Sequence, residues 1–156
     1  MSPSNAHATT AEAHARAAPI ITWLMDEERV APARMAPLLE RFACRLRDTG
    51  LPLARASLHI QQLHPELSAR SLIWHADDSG TVELGHEYSI QSRDMYLASP
   101  VRAMRDGGGP IRRRLEAGDC ALDFPVLEEL KEQNLTDYAM HPVHFSGGVI
   151  NAVSIA

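Results

Sequence analysis

Between residues 32 and 49, Met35, Leu38, Leu39, Phe42 and Leu46 recur at three- and four-residue intervals, the spacing that lines one face of an α-helix. Pro37 limits how far this helix reaches upstream, and Gly50 followed by Pro52 stops it. Beyond the stop the period falls to two. Ala56, Leu58 and Ile60 alternate with Arg55, Ser57, His59 and Gln61, as a strand with one buried face requires. His64 and Pro65 end that strand. Residues 71–76 predict a second strand, Asp77, Asp78, Ser79 and Gly80 a turn, and residues 81–87 the hairpin partner.

Further on, Ser99 caps a short helix that begins at Pro100, turns Val101 and Met104 inward and ends at Gly107, Gly108 and Gly109. Residues 110–116 predict a strand with Ile111, Arg113 and Leu115 on one face. Asp123 caps a helix carrying Val126, Leu127 and Leu130. Residues 136–145 and 149–156 then form a hairpin around Ser146, Gly147 and Gly148. The order α-β-β-β-α-β-α-β-β, with hairpin-joined strands, predicts an α+β fold: an antiparallel sheet with flanking helices. No glycine-rich phosphate loop opens a helix after a strand.

Residues 1–18 hold seven alanines, two charged side chains and no large aliphatic residue, so a flexible tail is expected there, with the folded unit over 19–156. At 156 residues the chain has room for one domain, and its 45% hydrophobic and 22% charged content is ordinary for a globular one. A net charge of -5 argues against a broad nucleic-acid surface. No apolar run is long enough to span a membrane, and the first residues do not resemble a secretory signal. Two cysteines, Cys44 and Cys120, are too few for a disulfide framework. A cytoplasmic protein is expected.

Several blocks resemble a known family. Gly50-Leu-Pro-Leu-Ala-Arg-Ala-Ser-Leu-His-Ile, Leu63-His-Pro-Glu, Arg70-Ser-Leu-Ile-Trp, Ser99-Pro-Val, Gly109-Pro-Ile-Arg-Arg-Arg-Leu, Leu122-Asp-Phe-Pro-Val-Leu and Thr136-Asp-Tyr are similar to the N-terminal, GAF-like regulatory region of bacterial class III adenylate/guanylate cyclases. The similarity runs from about Trp23 to the end. It implies a sensory domain that is not itself an enzyme, binding a small ligand and signalling through a dimer to a cyclase domain beyond residue 156. A GAF-like domain normally closes with a helix beside its first one, and the sequence stops on residues 149–156, so the C-terminal helix is expected to be missing. The stripe of Met35, Leu38, Leu39, Phe42 and Leu46 would then lack a partner, and a homodimer through it is expected. The rival readings are a ligand-free dimerisation module and a haem-binding sensor.

Candidate ligand-binding residues follow from chemistry. Trp74, Tyr96 and Tyr138 combine apolar area with a polar tip and suit a pocket wall, although an aromatic in a strand also suits a core. Arg113, inward beside Ile111 and Leu115, needs an anionic partner, either a ligand or, as the favoured alternative, an internal Asp or Glu. His59 and His75 fall on neighbouring strands with His64 between them, an arrangement that can bring two of them together at a pocket or a haem iron; the favoured alternative is that His64 orders the turn before Pro65 and His59 sits at the sheet surface. No resolving cysteine pair and no Gly-x-Ser-x-Gly elbow occurs, so catalysis is not expected.

Overall fold

The computed structural model describes residues 4–30, 34–62, 67–77, 79–87, 94–145 and 148–156. Two helices come first, α1 (Ser4–Val30) and α2 (Met35–Asp48). Then follow β1 (Arg55–Gln61), β2 (Leu67–His75), β3 (Gly80–Glu87), α3 (Asp94–Leu97), α4 (Pro100–Ala103), β4 (Ile111–Arg113), α5 (Pro125–Glu132), β5 (Tyr138–His144) and β6 (Ile150–Ile155). The strands form one antiparallel sheet in the order β3-β2-β1-β6-β5-β4. The expected α+β architecture is therefore present: a six-stranded antiparallel sheet with flanking helices.

The sheet separates two cores, because directly opposed residues of an antiparallel pair point to the same side. On one side Ala56 faces Trp74 and Ile155, and Leu58 faces Leu72. Leu39 and Ala43 of α2 pack on this surface, and Leu72 is fully buried within it. On the other side Ser57 faces Ser154, Met140 faces both Ser154 and Ile111, and Arg113 faces Tyr138. Met104, Leu115, Leu127 and Leu130 complete that second core.

Helix α2 forms where its periodicity placed it. Arg45 and Arg47 in the last turn complement the helix dipole, and the Thr49 hydroxyl donates to the Leu46 carbonyl at 2.7 Å. Gly50 follows at φ 88, a left-handed conformation that favours glycine. The apolar stripe of α2 is spent on the sheet, not left open: Leu39 is buried and Phe42 and Leu46 pack against the same cluster, while Met35 stays 38% exposed. The expectation that this stripe lacks a partner does not hold, because the sheet covers it.

Residues 4–18, expected as a flexible tail, belong to the 27-residue helix α1, with Pro19 inside it. Alanine has the highest helix propensity, and the following turns supply the docking that alanine cannot. Ile20 is buried, and the Arg45 guanidinium lies 4.5 Å from the centre of the Trp23 ring. From residue 11 to 19 the side chains are almost all exposed, as their composition dictates.

Two further boundaries differ from expectation. β4 ends at Arg113 because the chain turns there, with Ala117 N–H donating to the Arg114 carbonyl, which drops Leu115 into the core under α5. Asp123 does not cap α5; its carboxylate is taken by Arg113, and α5 starts from Pro125 with Phe124 extended before it. His64 and Pro65, Asp78, Ser146 and Gly147 lie outside the described residues.

Candidate functional site

On the sheet face turned away from α2, three adjacent strands present a polar row. His59 of β1 is directly opposite Ser71 of β2, and His86 of β3 is its diagonal neighbour. His59 Nδ1 and His86 Nε2 each lie 2.8 Å from Ser71 Oγ. One hydroxyl carries one proton, so Ser71 donates to one ring and accepts an N–H from the other. Two neutral rings satisfy this only with matching tautomers, both protonated on Nε2 or both on Nδ1. A second proton on His59 forces Ser71 to donate to His86. Burial opposes that proton: desolvation, reinforced by the positive field of Arg55 and then of His86 and Arg105, pushes the His59 pKa down to about 4. Burial also lowers His86.

Arg105 approaches the row from above the sheet. After Ala103, helix α4 continues into a wide turn, Met104–Gly108, which Gly107 ends at φ 96. Val101, Met104 and Arg105 share the inward side at helical spacing, while Arg102 and Asp106 pair on the outer side at 2.6 Å. Arg105 Nε donates to the Ile150 carbonyl at 3.3 Å and Nη1 to the Tyr96 hydroxyl at 3.4 Å, both long bonds. Its Nη2 is buried with no acceptor among the described residues.

Ser99 fixes Tyr96 relative to this turn. Its hydroxyl donates to the Tyr96 carbonyl at 2.7 Å and accepts the Arg102 N–H at 3.2 Å, capping α4 as the sequence predicted. Sheet, α3 and α4 border a cavity of about 190 Å³, partly open to solvent and lined by His59, Ser68, Ala69, Ser71, His86, Met95, Tyr96, Ser99, Val101 and Arg105. Among the described residues no carboxylate lines it. Such a cavity has the chemistry of a binding site: one cation, neutral imidazoles and hydroxyls against an apolar wall.

Of the six candidate residues, His59 and Tyr96 line this cavity. The other four sit elsewhere. Trp74 is 4% exposed in the core beneath α2, on the opposite side of the sheet, because its alternation with Ile73 turns it inward there. Tyr138 is buried in the second core and hydrogen-bonded with Ser154; burial pushes its pKa up to about 12. Arg113 shares a face with Ile111 as predicted and takes the internal partner, Asp123, through Nε at 3.0 Å and Nη2 at 2.5 Å. His75 is half-buried at the far end of β2, beside Arg55, Asp77 and Gln133. Ser71, His86 and Arg105 were not singled out, although two signals held them: period-two alternation carries β2 and β3 side chains to the face of His59, and Arg105 lies four residues after Val101. Among the described residues no three His, Cys, Asp or Glu side chains are grouped to hold a metal, and no helix is long and apolar enough to cross a membrane.

No known family matches the chain and no curated protein does. Among solved structures, it is similar to the GAF domain of a phosphoenolpyruvate-protein phosphotransferase (ptsP) from Coxiella burnetii, at 17% identity and a TM-score of 0.54, over 90% of this chain and 76% of that one. A more distant likeness, at 13% identity and a TM-score of 0.40, is to the NreA protein of Staphylococcus aureus mutated in its nitrate binding site, over 84% of this chain and 85% of that one. The first likeness gives the fold as GAF-like.

Proposed function

We propose that the chain is a sensory domain that binds a small ligand between the sheet and the α3–α4 segment and relays binding to an output domain. The carrying observation is the cavity that gathers His59, Ser71, His86, Tyr96 and Arg105 on the side of the sheet that α2 leaves free. The GAF-like fold supports a regulatory role. The blocks from Gly50 to Tyr138 support a nucleotide cyclase as the output and a cytoplasmic setting, in which Cys44 and Cys120 stay unpaired. A ligand biases such an output only by its difference in affinity between two arrangements.

Native mass spectrometry of the purified protein tests this reading. A small molecule that co-purifies, and is lost when Val101→Trp fills the cavity, supports it; a wild-type mass equal to the bare chain under conditions that keep ligands bound counts against it. Joined to a cyclase catalytic domain, the chain is expected to change the rate of cyclic nucleotide formation when ligand is added.

A second reading, a dimerisation module, is supported by the exposed apolar side chains Ile21 and Met25 of α1 and Met35 of α2. Sedimentation equilibrium of Ile21→Glu beside the wild type separates the two: a dimer lost in the variant supports a helix interface, and a strict monomer removes it. A Soret band abolished by His59→Ala would move the reading to a haem sensor.

A further inference from the structure

Building on the ligand-binding reading above, we infer that the ligand is a small planar monoanion, a short-chain carboxylate, held by Arg105 at the α4 end of the cavity. Three observations carry this. Among the described residues the cavity wall holds one permanent cation and no carboxylate, so an anion is the charge that this lining calls for. Arg105 is under-bonded: its two contacts are long, at 3.3 and 3.4 Å, and Nη2 has no acceptor among the described residues. A buried N–H without an acceptor is costly, and a carboxylate offers the two parallel acceptors that the planar fork of Arg105 matches. The remaining wall, from Ala69, Met95 and Val101, is apolar and suits a short hydrocarbon tail.

Size sets the class. About 190 Å³ falls below the roughly 300–1,000 Å³ of drug-sized sites, which suits a ligand with a few carbon atoms beyond the carboxylate. The carboxylate takes the Nη edge of Arg105 in place of the Tyr96 hydroxyl, which then turns to the anion as a donor. Ser99, bonded to the Tyr96 carbonyl and to the Arg102 N–H, ties the Tyr96 backbone to the first turn of α4.

Calorimetric titration with acetate, propionate, butyrate, nitrate and the neutral isostere propionamide tests the inference, on wild type, Arg105→Gln and Arg105→Lys, each checked for folding by circular dichroism. A carboxylate should bind, propionamide should bind at least about tenfold more weakly, Arg105→Gln should lose the preference and Arg105→Lys should keep part of it. Nitrate binding more tightly than every carboxylate would keep the anion and overturn the hydrocarbon tail. Propionamide binding as tightly as propionate, an unaltered preference in Arg105→Gln, or no anion binding at millimolar concentration would overturn the inference. A neutral molecule found by native mass spectrometry would then leave the ligand-binding reading standing; an empty protein would remove both.

Discussion

His59 and His86 each bond to the hydroxyl of Ser71 at 2.8 Å, so the tautomer of one ring is set by that of the other across three strands. Ser71→Ala removes the donor and acceptor that both rings use, and leaves His59 Nδ1 facing a desolvated surface. A loss of about 1–3 kcal/mol is expected in urea unfolding. Ser71→Thr keeps the hydroxyl and should lose less. Equal losses in the two variants would show that packing, and not the hydroxyl bridge, matters there.

Acid should act on this protein before its carboxylates titrate. His59 has a folded-state pKa of about 4 against an ordinary 6.5, so the unfolded chain binds more protons between those values. Stability is full above pH 6.5 and falls as pH drops toward 4, on the order of 3 kcal/mol across the window. His86 is displaced in the same direction. Asp123 and Asp137, held below the usual carboxylate range by Arg113 and Arg112, contribute their losses only at lower pH. Denaturant midpoints measured from pH 7 to 4 should slope downward, and His59→Gln should flatten most of that slope.

The Arg113–Asp123 pair should matter little to stability and nothing to ligand binding. Asp123 is 40% exposed and Arg113 29%, so solvent screens the attraction. A double-mutant cycle with Arg113→Ala and Asp123→Ala should give a coupling of about 1 kcal/mol or less. Arg113 also lies over the Phe124 ring at 5.9 Å, and part of any larger loss in Arg113→Ala would belong to that contact.

Trp23 and Trp74 are the two tryptophans, one beside Arg45 at the α1–α2 contact and one deep under α2. In Trp74→Phe, emission reports α1 alone. Its attachment rests on few side chains, Ile20, Trp23 and Leu24 against Phe42 and Leu46. The fluorescence transition is therefore expected at lower urea than the loss of sheet signal by circular dichroism. Coincident transitions would make α1 part of the cooperative core.

Helix α2, the strands and their order were legible because a face that must be buried imposes a period, and the period survives in the sequence: Leu39 to Leu46 at three and four, Ala56 to Ile60 at two. Conformation in 4–18 was not legible, since alanine satisfies both a tail and a helix until Ile20 and Trp23 find α2. For the site, residue type misled. Trp74 and Tyr138 have the chemistry of a pocket wall, but alternation gives each to a core. His86 and Arg105 become neighbours of His59 only through the register of the β2–β3 hairpin, whose existence the turn at 77–80 marks without fixing the register, and through the wide turn after α4.

A sheet that keeps two separate cores also divides what selection acts on. Residues under α2 hold the scaffold, while Ser71, His86, Tyr96 and Arg105 on the other side contribute little of the buried apolar mass. Substitutions at Tyr96 or Arg105 can therefore change ligand preference while leaving the packing of Leu39, Leu72 and Trp74 intact. The fold is a durable frame around a replaceable lining.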